Sequence, residues 1–479
     1  MNQRELIEKA NQEIERKRQI VESDYYRLRF HLMPPVGLLN DPNGFIQYKG
    51  VYHLFYQWNP FETAHGSKFW GHYTSTDLVK WEHQPVALAP SEWYEKNGCY
   101  SGSAIEHEGK MVLFYTGNVK DENGERETYQ CMAVSNDGMI FDKKGPVIHL
   151  PKGYTAHFRD PKVWKKDDTW YMVLGAQDVT EQGKVVLYSS QNLTDWEFHG
   201  AITGSEMNGL GPYGYMWECP DLFELDGKDV LLVSPQGLEP EGDLYHNLFQ
   251  AGYFVGEFNA EEFSYQHGAF TELDRGFDFY APQTTTDVKG RRLLFAWMGI
   301  TDENEKYQPT IEKGWIHAMT LPRVLSLKGE KVVQQPVEEL KQLRKNEVSY
   351  ENVQVNTEIV TLDKVQGTSM EMLIDGISYH SDSFEVTFRG AVNFFYSTKE
   401  NKMSLHRKNF KDGRVESRHC QIYGIKKLHV FLDTSSIEIF VNDGEEVFTA
   451  RYYPSVENES VSFKAEGKLQ FNMKKWNLD

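Results

Sequence analysis

Three acids in this chain stand in settings suited to chemistry. Asp41 lies in Leu38-Leu-Asn-Asp-Pro-Asn-Gly44, Asp160 in His157-Phe-Arg-Asp-Pro161, and Glu218 in Tyr215-Met-Trp-Glu-Cys-Pro-Asp221. Asp41 is expected between two strands, restrained by Asn40, Pro42 and Asn43. Two carboxyl groups facing each other across a bond are what glycoside hydrolysis requires. One attacks or stabilises the anomeric carbon, and the other protonates the leaving oxygen. The two must then differ in acidity. Glu218, between Trp217 and Cys219, is expected to be raised by desolvation and to serve as the acid. Asp41, among amides that donate hydrogen bonds, is expected to stay ionised and act as nucleophile. Singly, each motif also reads as structure, Asn-Asp-Pro-Asn-Gly above all, because these are turn residues. Their joint occurrence on a repeating scaffold favours a site.

A scaffold that unites acids so distant in sequence is a β-propeller, whose inner strands all line one central channel. The chain has the texture for it. Short runs such as Met111–Tyr115, Trp170–Leu174, Val230–Val233 and Leu293–Trp297 are broken by Gly, Asp and Asn. An internal echo recurs in Ser75-Thr-Asp-Leu-Val-Lys-Trp81, Ser135-Asn-Asp-Gly-Met-Ile-Phe141 and Ser190-Gln-Asn-Leu-Thr-Asp-Trp196, at spacings of 60 and 55 residues. A Ser ends a strand, an Asp or Asn turns the chain, and an aromatic re-enters the sheet. At that period roughly 300 residues hold about five blades. The fold class expected is all-β: a five-bladed propeller over residues 25–335, followed by a β-sandwich over 346–479. A helix over residues 3–22, with Leu6, Ala10 and Ile14 on one face, forms an N-terminal arm within 1–24. Gln335–Arg344 reads as a short amphipathic helix opened by Pro336, giving a linker over 336–345. In the last region Asn442-Asp-Gly444 marks a hairpin.

Composition removes whole classes of function. A net charge of -19, from 51 basic and 70 acidic side chains, argues against nucleic-acid and anionic-membrane partners. It leaves room for a small anionic substrate, which a local basic pocket can hold. The four cysteines, Cys99, Cys131, Cys219 and Cys420, have neither metal-ligand spacing nor the density of a disulfide framework. A cytoplasmic location is expected, because the N-terminus lacks a signal-peptide core and no apolar run would span a bilayer. No phosphate loop or nucleotide fingerprint occurs, so no cofactor and no metal are expected. Aromatics at 14% suit sheets and sugar faces, and the partner expected is a small sugar.

Taken in order, Leu-Asn-Asp-Pro-Asn-Gly, Phe-Arg-Asp-Pro and Trp-Glu-Cys-Pro resemble the signatures of glycoside hydrolase family 32. Phe69-Trp-Gly-His72, Tyr100-Ser-Gly-Ser103 and Phe279-Tyr-Ala-Pro-Gln283 match as well. The resemblance runs from about His31 to Asp479 and departs at Leu39, where many members carry Trp or Met. It implies a five-bladed propeller plus a β-sandwich, and a retaining mechanism. By motif, Asp41 matches the nucleophile, Glu218 the acid/base, and Asp160 the residue that holds fructosyl hydroxyls and stabilises the transition state. Leu38, Leu39, Asn40, Gln57, Trp70, Tyr100, Ser101, Arg159 and Trp297 fall at or beside the family's sugar-contact positions. Within the family the chain is most similar to bacterial intracellular sucrose-6-phosphate hydrolases, with a plain invertase or fructan hydrolase as the alternative. Arg126 and His157 are candidates for the phosphate by neighbourhood.

Overall fold

The sequence echo is a turn. In the computed structural model, which describes residues 1–479, Ser75, Ser135 and Ser190 each end the third strand of a blade. Asp77 Oδ1 then accepts from the N–H groups of Val79 and Lys80 at 2.9 and 2.8 Å, and Asn192 Oδ1 from those of Thr194 and Asp195 at 3.0 and 2.8 Å. Asp137 does the same for Met139 and Ile140. These are side-chain turns that Asp and Asn favour. The Trp81 and Trp196 indoles donate back to the carbonyls of Leu78 and Leu193 at 3.0 and 2.9 Å, so both aromatics are packing residues.

Five antiparallel blades follow in chain order, and the three acids all lie on first strands. These strands are Gly37–Tyr48, Cys99–His107, Tyr154–Lys166, Met216–Leu225 and Tyr280–Thr286, for blades I to V. Each packs against the first strand of the next, and that of blade V against that of blade I, closing a ring around an axis. Trp315–Ile316 runs parallel to Gly37–Leu38 of blade I, while Ala318–Met319 pairs with Trp297–Met298 of blade V, so one short segment joins the ends of the ring.

All five first strands are irregular at the same level. Register shifts fall between Leu39 and Pro42, Tyr100 and Gly102, Glu218 and Asp221, and Tyr280 and Gln283, and at Arg159–Lys162 in blade III. Prolines 42, 161, 220 and 282 sit in these breaks. A proline cannot donate to the ladder, so a bulge is where a strand tolerates one. Asp160, Cys219 and Ala281 have φ of 67°, 49° and 49°. The Leu38–Gly44 stretch is therefore not a turn between two strands, as its composition suggests. It is the bulged middle of one strand, Gly37–Tyr48. Gly44 is required there: φ is +52°, and a Cβ would meet the Phe55 ring at 2.7 Å.

Polar side chains tie the blades together beneath the bulges. Gln283 of blade V accepts from the Phe45 N–H at 2.9 Å and donates to the Gly102 carbonyl at 2.9 Å, spanning blades V, I and II. Ser103 accepts from the Val163 N–H at 3.1 Å, and Thr116 from the Asp160 N–H at 3.0 Å, joining II to III. Asp221 of blade IV takes Lys162 of blade III at 3.0 Å and the Thr284 N–H of blade V at 2.8 Å. Largely buried and hydrogen-bonded across blades, such ties fix geometry at the channel.

The helix Gln3–Glu22 is present, capped by Asn2 in a capping box with Glu5, and Ala10 is fully buried while Leu6 and Ile14 pack on the propeller core. The segment after blade V differs from expectation. Gln335 and Pro336 belong to a strand paired with Val324 and Arg323, and only Glu338–Leu343 is helical, as a 3₁₀ turn. Pro336 ends a strand rather than opening a helix, because pairing within blade V outweighs its helix-start preference. In the C-terminal region ten strands form a sandwich-like sheet around 33 buried apolar residues. Glu371–Ile374 and Ser383–Phe388 are parts of one long bulged strand, Met370–Phe388. Asn442-Asp-Gly444 does turn a hairpin, with positive φ at Asn442 and Asp443. A buried charge cluster docks the two regions: Arg323 reaches Glu438 at 2.6 Å and Asp274 at 3.1 Å, and His31 lies 2.8 Å from Asp433 and 3.0 Å from Glu438.

Candidate active site

The bulges converge on one cavity of about 500 Å³ at the end of the channel. Its lining is mostly polar, with Tyr100, Phe249, Tyr280 and Trp297 as aromatic walls. That mixture suits a hydroxyl-rich ligand with apolar ring faces and is a poor home for a hydrocarbon. Asp41, Asp160 and Glu218 all face it, one from each of blades I, III and IV.

The three acids have different partners. Asp41 Oδ2 accepts from Ser101 at 2.6 Å, and Oδ1 from the Asn40 amide at 3.2 Å. Asp160 Oδ2 accepts from the Cys219 N–H at 3.0 Å. The Cys219 thiol lies between the two, 3.8 Å from Asp41 Oδ2 and 3.6 Å from Asp160 Oδ2. Glu218 is gripped on both oxygens: Oε1 by Arg159 Nε and Nη2 at 2.9 and 2.7 Å, and Oε2 by Tyr280 at 2.6 Å and Gln236 at 2.7 Å.

These partners reverse the expected acidities. Burial raises Asp41 above the usual carboxylate range, and the Glu218 charge adds to the rise against the Ser101 and Asn40 hydrogen bonds. Asp160 is also raised, first by burial and then by Glu218 and Asp41, with Arg159 opposing. Burial pushes Glu218 up too, but the Arg159 charge and the donors Tyr280 and Arg159 bring it below its ordinary value. In the free site Glu218 is thus held toward its ionised form while both aspartates are pushed toward their neutral forms, the reverse of the expectation from local sequence. The reason is a salt bridge made across 59 residues, which Trp217 and Cys219 as sequence neighbours do not reveal. Three interacting carboxyl groups titrate as a set, with Asp41 and Asp160 pushed toward their protonated forms.

Two buried polar atoms at the cavity have no protein partner: Asn40 Oδ1 and Trp297 Nε1. One can accept and the other donate, which fits a ligand carrying hydroxyl groups. Gln57 lines the cavity with its amide nitrogen fixed to the Cys99 carbonyl at 2.9 Å. Tyr100, Ser101 and Arg159 line it as well. The remaining expectations move elsewhere. Trp70 is fully buried outside the lining, and its indole donates to the Tyr100 carbonyl at 3.0 Å, so it supports the wall from behind. Leu38 and Leu39 are also fully buried in the strand that carries Asp41 and do not line the cavity.

Other lining residues escaped the sequence reading. Tyr280 belongs to the Phe279–Gln283 motif, whereas Gln236 carries no local signal at all. Lys68, two residues before Trp70, is buried at the cavity beside Asp41, donating to His65 at 3.1 Å. Burial pulls its ammonium down to about 7, against the attraction of Asp41 and Glu305.

Comparison with known proteins follows the same residues. The model for the glycosyl hydrolases family 32 N-terminal domain matches residues 31–336, and that for the family 32 C-terminal region matches 339–477. A Bacillus subtilis sucrose-6-phosphate hydrolase is 54% identical over 99% of this chain and 98% of its own length. A Klebsiella pneumoniae sucrose-6-phosphate hydrolase is 44% identical over 92% of this chain and 91% of its own. Among solved structures, a Lactobacillus gasseri sucrose-6-phosphate hydrolase superposes with a TM-score of 0.88 at 31% identity, covering 98% of this chain and 96% of that one. A Bombyx mori GH32 beta-fructofuranosidase mutant in complex with sucrose superposes at 0.85 with 34% identity, covering 98% and 97%.

Proposed function

This chain belongs to glycosyl hydrolase family 32, and from that premise we propose that it splits sucrose 6-phosphate into glucose 6-phosphate and fructose with retention of anomeric configuration. The observation that carries the chemistry is the pairing of Asp41 and Glu218 in one polar cavity with unlike surroundings. The nearby relatives named as sucrose-6-phosphate hydrolases support the substrate.

Asp41 attacks the fructosyl anomeric carbon as the bond to the glucosyl oxygen breaks, and Glu218 gives its proton to that oxygen. An ester between Asp41 and the fructosyl unit results. Water then attacks the same carbon, Glu218 takes its proton, and Asp41 is released. Asp160 holds fructosyl hydroxyl groups, with Asn40 Oδ1 and Trp297 Nε1 as further contacts.

In the free site Glu218 lacks the proton that this scheme requires, so substrate must help move it. Sugar hydroxyls donating to Asp41 and Asp160 favour their ionised forms. The sugar ring also displaces water from Glu218, which favours its neutral form. Both effects transfer the shared proton toward Glu218. Burial and blade-to-blade ties keep the acids from relaxing meanwhile.

A phosphate ester does not cross a bilayer unaided, which supports action in the cytoplasm. No helix is long and apolar enough to cross a membrane. The same scaffold accepts uncharged sugar in a relative named raffinose invertase, 36% identical over 91% of this chain, so sucrose itself is the second substrate to test. The deciding experiment compares kcat/KM on sucrose 6-phosphate and sucrose and follows the fresh fructose anomer by proton NMR. Preference for the phosphate ester with retention is expected. An initially inverted anomer would overturn the double displacement, and equal efficiency on both sugars would return the chain to the plain invertases.

A further inference from the structure

Between blade II's second strand, Lys110–Lys120, and its third, Arg126–Ser135, a hairpin overhangs the cavity. Lys120 and Arg126 are direct partners at its end, and both line the cavity wall. Like charges directly opposite across a strand pair are destabilising, so this arrangement calls for an anion between them.

The protein does not supply that anion. Neither side chain has a carboxylate within salt-bridge distance or a hydrogen-bond acceptor, in a chain of net charge -19. Acids in the same hairpin are turned to other donors. Asp121 Oδ1 accepts from the N–H groups of Asn123 and Glu125, both at 2.8 Å, and Glu127 from the Tyr129 hydroxyl at 2.7 Å.

The other cations of the cavity are already committed. Arg159 is bound to Glu218, and Lys68 donates to His65 beside Asp41, on the side where the fructosyl unit must sit. His157, the other sequence candidate for a phosphate, lies 3.0 Å from Arg159 Nη1 and is pulled down to about 4 by burial and then by Arg159 and Arg126. It is neutral at pH 7 and adds no charge.

We propose that Lys120 and Arg126 clamp the phosphate on the leaving sugar and so set the preference for a phosphorylated substrate. This rests on the substrate reading above and deepens it. The guanidinium fork offers two parallel donors to phosphate oxygens and the ammonium a point charge. Asn97 and Asn118 line the wall beside them. Lys120 is exposed and Arg126 half-buried whereas Arg159 is buried, so the clamp lies nearer solvent than the Arg159–Glu218 pair, which suits a 6-phosphate on the outer, glucosyl unit.

The test measures the ratio of kcat/KM on sucrose 6-phosphate to that on sucrose, with inorganic phosphate as competing ligand. Variants are Arg126→Ala, Lys120→Ala, their combination and Arg126→Lys. The ratio should fall about tenfold or more in Arg126→Ala, as for loss of a charge-assisted hydrogen bond. It should fall further in the double variant and recover in part with Arg126→Lys, while the phosphate inhibition constant rises in step. Loss of folding lowers both substrates together and cannot mimic a change in their ratio. A wild-type enzyme with no preference would overturn the phosphorylated-substrate reading and the clamp with it. A wild-type preference that survives in the double variant would overturn the clamp alone.

Discussion

Arg159 grips Glu218 with two donors on one oxygen, Nε and Nη2 at 2.9 and 2.7 Å from Oε1, across the gap between blades III and IV. The same cation opposes the rise of Asp160. It therefore favours the ionised forms of two of the three site carboxyl groups. Removing it with Arg159→Gln should make the set hold its last proton to higher pH. Activity that needs a protonated acid is lost as pH rises through that last step, so the alkaline limb of kcat/KM should move up, by roughly one unit. A limb that stays in place while the rate falls would make Arg159 a sugar contact only.

Lys68 acts on the opposite limb. Its charge lowers Asp41, so Lys68→Met should raise Asp41 further and move the acid limb to higher pH. Lys68 itself titrates at about 7, so the variant and the wild type should differ most below pH 7 and converge above it. Identical acid limbs would remove Lys68 from the activation of Asp41.

Asp41→Asn should fold and fail to turn over. An amide of the same shape can keep the Ser101 contact but cannot form the ester, and the expected loss is at least about 10⁴-fold. Purified variant with an unchanged melting transition and wild-type-like rates would take Asp41 out of the mechanism.

Glu218→Gln should lose about 10²- to 10⁴-fold on a sugar leaving group and far less, in the first step, on a fructoside with a good leaving group. Single-turnover kinetics separate the steps. Equal losses on both substrates in the first step would mean that Glu218 does not protonate the leaving oxygen.

Asp160→Asn should stabilise the protein in a pH-dependent way. The folded-state value of Asp160 is raised from 3.8 to about 7, so the folded state binds more protons than the unfolded one between these values. Wild-type stability then falls as pH rises through that window. The penalty is absent below about pH 4 and complete above about pH 7. The variant's Tm gain should be largest at and above neutrality and fade toward pH 4. Asn also tolerates the positive φ of 67° at this position. A Tm that drops at pH 8 would show that the carboxylate's bond to the Cys219 N–H outweighs its burial.

Much of this was legible in local patterns. The echo at Ser75, Ser135 and Ser190 exposed three of the blades, because the turn after their third strand is built from side chains of adjacent residues. Blade V turns instead through a short Gly329-Glu330 hairpin, and leaves no such mark. The acid motifs were visible for a related reason. Each proline and each positive φ in an inner strand demands particular neighbours, so Asn-Asp-Pro-Asn-Gly and Trp-Glu-Cys-Pro carry the imprint of a bulge. Their resemblance to turns was a resemblance of backbone conformation, which bulges share.

Residue identity and order alone determined the all-β class, the three acids and the family to which they belong. Tertiary structure alone decided which way the acidity of each acid shifts. Burial and charge act through space, and Glu218 meets Arg159, Gln236 and Tyr280 only because three blades converge on one axis. It also decided that Trp70 and Leu39 stand behind the wall while Lys68 stands in it. On a bulged strand the side-chain alternation is broken, so spacing along the chain no longer tells which face a residue occupies.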